Sequence, residues 1–580
     1  MKTLIPVLAA AILMTSGISR AQKWPATVVG TKPQSALTFD EMVDRAITRE
    51  SALLNYLHDA RPVVETYIQD LETDADFGTA PKSDHYYLGK LDISSGVNEK
   101  SFIPKAGWNP ASLLFFNKIF SPAYLPQGFA QMILMDGMNF NRDHYSFEFL
   151  RREFLGDVRT FVVTVRPLDK KAKGLFIGSV WIEDRDFNIV RFNGTYSGGS
   201  SGKMYAHFDS WRVNTGPGLW LPAQVYSEEE GLSDALKMHK LHFKAMTRLW
   251  GYATPAERSR AEFTSMRVEM AGTEVQDHSP DAADNSPLES RRAWAREAEN
   301  NVIARMEKAG MLASPGGLDK VLDTVVNNLI ATNQLNIAPE VRTRALLTTP
   351  LESFTVGHTI VISRGLLDTL PDEASLAAIL AHELAHIALG HETSNEFAFG
   401  DRTLFDDEQT IRNFRLERPQ NEEDAANAEA VRLLLNSPYK DQLGRAGLFL
   451  KALGNEANRL PALIKPLFGS RMTASGKTAG ESNVLRMSAL LEKAPQLQAT
   501  RTDQVAALPL GSRTKLDPWT NSLEMLRTRA QAPLSAREKM PFELTPVVLR
   551  LTWQTGAPVA AGAKTSGEPP ETGPAGSPPK

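Results

Sequence analysis

The stretch from Glu373 to Gly390 limits what this chain can fold into more than any other. It reads Glu-Ala-Ser-Leu-Ala-Ala-Ile-Leu-Ala-His-Glu-Leu-Ala-His-Ile-Ala-Leu-Gly. Alanine and leucine lose little on entering a helix, so the segment predicts a helix, and Gly390 is a natural stop. Within it lie His382, Glu383, Leu384, Ala385 and His386. Residues four apart share a helical face, so both imidazoles can reach one metal ion. Glu383 sits about 100° round the helix from His382, which points it at a metal-activated water instead of the metal. Zinc suits neutral imidazole and lowers the pKa of bound water toward about 7. The competing reading is two histidines packed on an apolar helix. Only 11 of the 580 residues are histidine, so a chance pair at this spacing is uncommon.

The third ligand has to come from elsewhere. The chain has no cysteine, so any metal is held by nitrogen and oxygen. A metzincin pattern needs glycine and histidine where Leu389 and Glu392 stand, and a thermolysin-like spacing needs a glutamate at Phe405. His391 lies about 180° from His382 and reads as a helix-end group, not a ligand. The segment Asn421 to Leu435 predicts a second helix, with Glu423 and Asn427 four apart on one face. Glu423 is the candidate carboxylate ligand. Asn427 is a candidate acceptor for a ligand imidazole, the contact that sets a tautomer. Alternatively, Glu422, Glu423 and Asp424 only complement the positive end of a helix dipole.

These segments resemble metallopeptidase family forty-eight, gluzincins that include the CAAX prenyl protease, HtpX and periplasmic BepA-type enzymes. The likeness rests on Ile362 to Leu367, Leu376 to His391, Glu423 to Leu434, Ser437 to Lys440 and Ala446 to Leu453. It implies one zinc per chain on His382, His386 and Glu423, with Glu383 as general base and a protein or peptide substrate. Three departures stand out. Asn427 replaces an aspartate, which implies weaker zinc binding. The substrate-facing edge strand reads Glu352-Ser-Phe-Thr-Val-Gly-His358, where the family has Asn-Ala at its start and Gly-Gly at its end. Its backbone can still pair with an extended peptide, and His358 is expected to face solvent, not the metal. The family's later His-Pro motif is missing; Leu508 to Arg513 occupies a comparable place. Arg513 there either steadies an oxyanion or makes a structural ion pair.

Upstream, the hydrophobic period changes. Thr38 and Glu41 form a capping box ahead of a helix bearing Phe39, Met42, Val43, Ala46 and Ile47 on one face. Phe161 to Val165, Gly174 to Ile182, Phe187 to Phe192, Met204 to Val213 and Leu219 to Tyr226 predict strands. Their close spacing favours antiparallel hairpins. Val165 to Leu168, Gly174 to Asp184 and Ile189 to Gly194 resemble LolA-like lipoprotein-sorting domains. That likeness implies a curved sheet with an apolar face and a lipid or lipoprotein partner. The expected class is α+β: an N-terminal curved antiparallel sheet with helices, then a mainly α zincin-type domain with a small edge-strand sheet. The expected boundaries are a signal peptide at 1–21, the β-rich domain at 22–269, a linker at 270–287, the peptidase domain at 288–555 and a disordered Gly/Pro-rich tail at 556–580.

Composition narrows the function. There are 64 basic and 68 acidic side chains, so nucleic acid is not an expected partner. Lys2, the apolar run Leu4 to Met14 and Ser19-Arg20-Ala21 read as a secretory signal, too short to span a membrane. Periplasmic or extracellular placement without a transmembrane anchor is expected. Glu392 to Gln420 spans 29 residues, long for a plain loop, and is expected to form a lid or plug. The expectation is an exported zinc endopeptidase, with envelope protein quality control as its setting. The alternative is a lipid- or lipoprotein-binding chaperone with a degenerate site.

Overall fold

The structure is a computed structural model. It describes residues 37–75, 78–93, 98–103, 126–136, 140–169, 171–197, 206–233, 240–252, 287–392, 411–474, 484–498, 501, 504–511, 513–526 and 540–554. The expected signal peptide, the expected tail, all but the last residue of the expected linker, and 393–410 of the expected lid lie outside these residues.

Helix α1 (Phe39–Ala60) begins at the expected capping box: Glu41 N–H donates to Thr38 Oγ1 at 3.3 Å, and Thr38 N–H to Glu41 Oε2 at 3.0 Å. Ten strands follow: β1 (Val63–Asp74), β2 (Gly78–Asp92), β3 (Asn98–Ser101), β4 (Tyr145–Leu155), β5 (Val158–Pro167), β6 (Phe176–Glu183), β7 (Ile189–Tyr196), β8 (Phe208–Gly216), β9 (Leu219–Ser233) and β10 (Lys240–Trp250), with α2 (Pro126–Gln131) between β3 and β4. They form one antiparallel sheet in the order β3-β2-β1-β10-β9-β8-β7-β6-β5-β4. The five strands expected from sequence are β5 to β9. The others were harder to read because buried polar residues break their apolar alternation, as Glu65 and Gln69 do in β1.

Successive strand residues face opposite sides of a sheet. On β1, Val64 and Ile68 pack with α1 and Phe129 to Met135. Val63 and Tyr67 pack with the second half of the chain. That half contains α3 (Pro287–Lys308), α4 (Gly317–Thr332), β11 (Arg342–Leu346), β12 (Ser353–Val356), β13 (Thr359–Ser363), α5 (Arg364–Thr369), α6 (Glu373–Ala388), α7 (Gln420–Leu435) and α8 (Leu443–Glu456). Its small sheet runs β11-β13-β12, with β12 on the edge. The α+β architecture is the one expected.

The two halves share a core. Trp250 and Met246 of β10 lie in one apolar cluster with Leu322 and Leu329 of α4 and Leu380 and Leu384 of α6. Trp250 is fully buried, and its indole N–H donates to the Gly310 carbonyl at 2.6 Å. Burial of one such aromatic contributes about 1.5–3 kcal/mol. The last described segment returns to the large sheet: Gln224 donates to the Val547 carbonyl at 2.6 Å, and Asp157 N–H to the Leu551 carbonyl at 2.9 Å. Residues 547–554, grouped with the peptidase region by sequence, thus lie against the sheet. Among the described residues, no helix is long and apolar enough to cross a membrane.

Candidate active site

Helix α6 starts at Asp372, whose carboxylate accepts from Ser375 N–H at 2.9 Å. Nearly every side chain from Ala374 to His386 is buried, as an all-round apolar helix in a core requires. His382, Glu383 and His386 are therefore at most 1% exposed. Helix α7 packs beside it through Ala426, Ala430, Leu433 and Leu434. Glu423 lies on that same stripe, in the first turn, which carries it to the histidines.

The ligand atoms converge. His382 Nε2 stands 3.2 Å from His386 Nε2 and 3.2 Å from Glu423 Oε2, and His386 Nε2 stands 3.7 Å from Glu423 Oε1. A tetrahedron with bonds of about 2.0–2.1 Å has edges of roughly 3.3 Å, so the set fits zinc. Burial and the neighbouring His382 push the His386 imidazole down to about 2, which keeps it neutral. Burial alone would raise the Glu423 carboxyl, but the bond from His382, the Arg486 charge and the Ser470 hydroxyl hold it below the usual carboxylate range. Neutral imidazole and ionised carboxylate are the forms that bind a metal. Glu423 Oε1, which faces His386, is buried without a hydrogen-bond partner, which also suits a site made for a ligand.

The back of His386 meets His391, with Nδ1 to Nδ1 at 2.8 Å. Donation from His386 Nδ1–H leaves its Nε2 lone pair free for a metal. His391 thus takes the orienting contact expected of Asn427. The amide of Asn427 turns elsewhere: its Oδ1 accepts from Met487 N–H at 2.9 Å, and its Nδ2 donates to the Leu485 carbonyl at 3.3 Å. Arg513 is also placed differently from its oxyanion reading. Its guanidinium donates to the Leu370 carbonyl, at the end of α5, and burial lowers its pKa. His358 lies half-buried beside Glu299 of α3.

Sequence reasoning missed Arg486 and the role of Ser353. Ser353 Oγ donates to Glu383 Oε1 at 2.7 Å, and Arg486 Nη1 donates to the same oxygen at 2.9 Å. Arg486 is a lone charge in Asn483-Val-Leu-Arg-Met487, a weak signal available in the sequence. The edge strand β12 is covered. Gly469 runs so close that a Cβ there would stand 2.9 Å from the Ser353 carbonyl oxygen. Arg418, from the expected lid, donates to Thr355 Oγ1 at 2.8 Å. A recess lined by Arg418, Glu423, Asn427, Ser470, Arg471 and Leu485 leads from the surface to Glu423.

A buried pair of imidazoles and a carboxylate, with a second carboxylate anchored beside them and a strand along the cleft, is the layout of a metallopeptidase centre. Residues 319–404 match the family model described as Peptidase family M48, in agreement with the resemblance read from these residues. Glu423 and Arg486 lie beyond the matched span. Two solved structures are also similar to part of the chain. One is a LolA superfamily protein from Nitrosomonas europaea, 13% identical, with a TM-score of 0.19 over 37% of this chain and 92% of that chain. The other is a putative outer membrane lipoprotein-sorting protein domain from Vibrio parahaemolyticus, 10% identical, with a TM-score of 0.18 over 39% of this chain and 99% of that chain. No curated protein matches the chain.

Proposed function

We propose that this protein is an exported zinc-dependent endopeptidase that hydrolyses unfolded or misassembled proteins of the cell envelope. The observation that carries the reading is the convergence of His382, His386 and Glu423 beside an anchored Glu383. Those three residues would hold zinc, which when bound supplies Lewis acidity and eases ionisation of water. Glu383 would accept the proton of the attacking water and return it to the leaving amine. An extended substrate would add as a strand along β12, through its backbone, only once the segments carrying Gly469 and Arg418 move off that edge.

The lipid-holding alternative has less support. The sheet face bearing Val64, Ile68, Val163 and Val180 is packed by α1 and by Phe129 to Met135.

The test is zinc content and casein hydrolysis of wild type, Glu423→Ala and Glu383→Gln. Wild type should carry one zinc and Glu423→Ala little. Glu383→Gln should keep its zinc and lose about 100- to 10,000-fold in hydrolysis. A wild type that takes up no zinc when supplied, or a Glu383→Gln protein with substantial activity, would refute the reading.

A further inference from the structure

Glu383 is held by groups that lie outside its own helix. Arg486 Nη1 donates to Glu383 Oε1 and to Ser353 Oγ, at 2.9 Å each, and Ser353 Oγ donates to that same carboxylate oxygen at 2.7 Å. Arg486 Nη2 faces the carbonyls of Ser353 and Ser470, both at 3.4 Å, and its Nε stands 3.7 Å from Glu423 Oε2. One guanidinium therefore spans both carboxylates of the site, and it is 1% exposed. A buried arginine fork orients its partners only if its own backbone is held in place.

Asn427 holds it. Its two bonds go to Met487 N–H and the Leu485 carbonyl, the residues on either side of Arg486. That pattern needs one acceptor and one donor on a single side chain. An amide supplies both. A carboxylate supplies acceptors only, and would set a negative charge against the Leu485 carbonyl. This accounts for an asparagine at the position where the family resemblance led us to expect aspartate.

We propose that Arg486 and Ser353 are the positioning residues of Glu383, and that Asn427 acts on the site through Arg486, not through an imidazole. The inference rests on the reading of Glu383 as general base beside a zinc ligand set.

Three measurements on the zinc-loaded protein test it: zinc content, kcat and KM on a peptide substrate, and calorimetric affinity for a peptide hydroxamate. A hydroxamate chelates zinc and hydrogen-bonds a well-placed neighbouring carboxylate, so it reports the position of Glu383 without turnover. Asn427→Asp should keep one zinc, bind the hydroxamate roughly tenfold more weakly and lose roughly 10- to 100-fold in kcat at unchanged KM, the range for groups that support a metal site. Ser353→Ala should follow it with a smaller loss, and Ser353→Thr should restore affinity and kcat. In a Glu383→Gln background, neither Asn427→Asp nor Ser353→Ala should change hydroxamate affinity further. Melting curves verify folding, and if Asn427→Asp fails to fold, Ser353→Ala and Ser353→Thr decide the matter. An Asn427→Asp protein that loses its zinc or that binds the hydroxamate as tightly as wild type, or equal losses with and without Glu383, would overturn the proposal. Absence of turnover in wild type with the hydroxamate pattern intact would sink the peptidase reading alone. A wild type that takes up no zinc would overturn both.

Discussion

Arg364 and Arg486 are two of the three arginines at most 2% exposed among the described residues, Arg212 being the third, and their surroundings differ in kind. Arg364 lies where the large sheet meets the peptidase region. Its Nε donates to the Leu347 carbonyl at 2.9 Å, and its Nη2 to Glu65 Oε2 at 2.5 Å and Thr349 Oγ1 at 2.9 Å. Glu65 also accepts from Thr349 N–H at 2.5 Å and Tyr86 O–H at 2.9 Å. No atom of Glu65 or Arg364 is among the buried polar atoms lacking a partner. At Arg486 the opposite holds: its own Nε and Glu423 Oε1 are left without one. Buried polar groups are expensive unless satisfied. A closed network is a structural joint; at Arg486 the unmatched atoms lie among side chains that could hold a metal.

The largest expected effect breaks the joint. Glu65→Ala leaves Arg364 buried and unpaired, which costs about 3–5 kcal/mol. A denaturant melt should show that loss, while the folded fraction keeps wild-type activity. A loss below about 1 kcal/mol would mean the joint does not hold the halves together.

The pH dependence of stability separates the regions next. Beside the site, Glu352 accepts the amides of Leu467 and Phe468 at 3.0 Å each, and burial pushes it up to about 7. At the joint, burial raises Asp84 to about 6. Both carboxyls are raised above their unfolded values, so their contribution is complete below about pH 4 and is lost as pH rises through 6 and 7. For Glu352 the loss is on the order of 3 kcal/mol. The neutral His386 works the other way below about pH 6.5, where its unfolded form takes up a proton, so in zinc-free protein the melting temperature should fall chiefly between pH 6.5 and 8, and Glu352→Gln should flatten that fall.

Zinc sharpens the contrast from the ligand side. At 100 times its Kd, zinc should stabilise wild type by about 2.7 kcal/mol. Glu65→Ala should keep that increment and Glu423→Ala should lose it, as read from melts with and without chelator. The smallest effect concerns Arg513. Its bond to the Leu370 carbonyl is worth about 1 kcal/mol, so Arg513→Ala should melt slightly earlier with kcat unchanged. A large drop in kcat would return Arg513 to the oxyanion role.

Much of this site was legible because it is local. Helical spacing alone brings His382 and His386 to one face, and the same rule put Glu423 and Asn427 on one face of the next helix. The five strands β5 to β9 were legible for a similar reason, since alternation with close turns needs only neighbours. Strands β1 and β10 were not: they are neighbours in the sheet but the first and last of its strands in sequence, with Val63 opposite Trp250, and Glu65 and Gln69 break the apolar alternation of β1. Asn427 shows the limit most clearly. Spacing correctly put it beside Glu423, but which partner its amide takes depends on a loop 58 residues further on.

The sequence by itself determined the chemistry available here: two imidazoles and an adjacent carboxylate on one helix, without thiols, and a second helix able to supply the third oxygen. Periodicity and residue type suffice for that, because contacts within a helix are set by its geometry. Tertiary structure decided which polar groups are closed off and which stay open. Arg364 and Arg486 are the same residue type, both buried. What separates them is the partners that distant segments bring, and that choice is made only when the two halves pack.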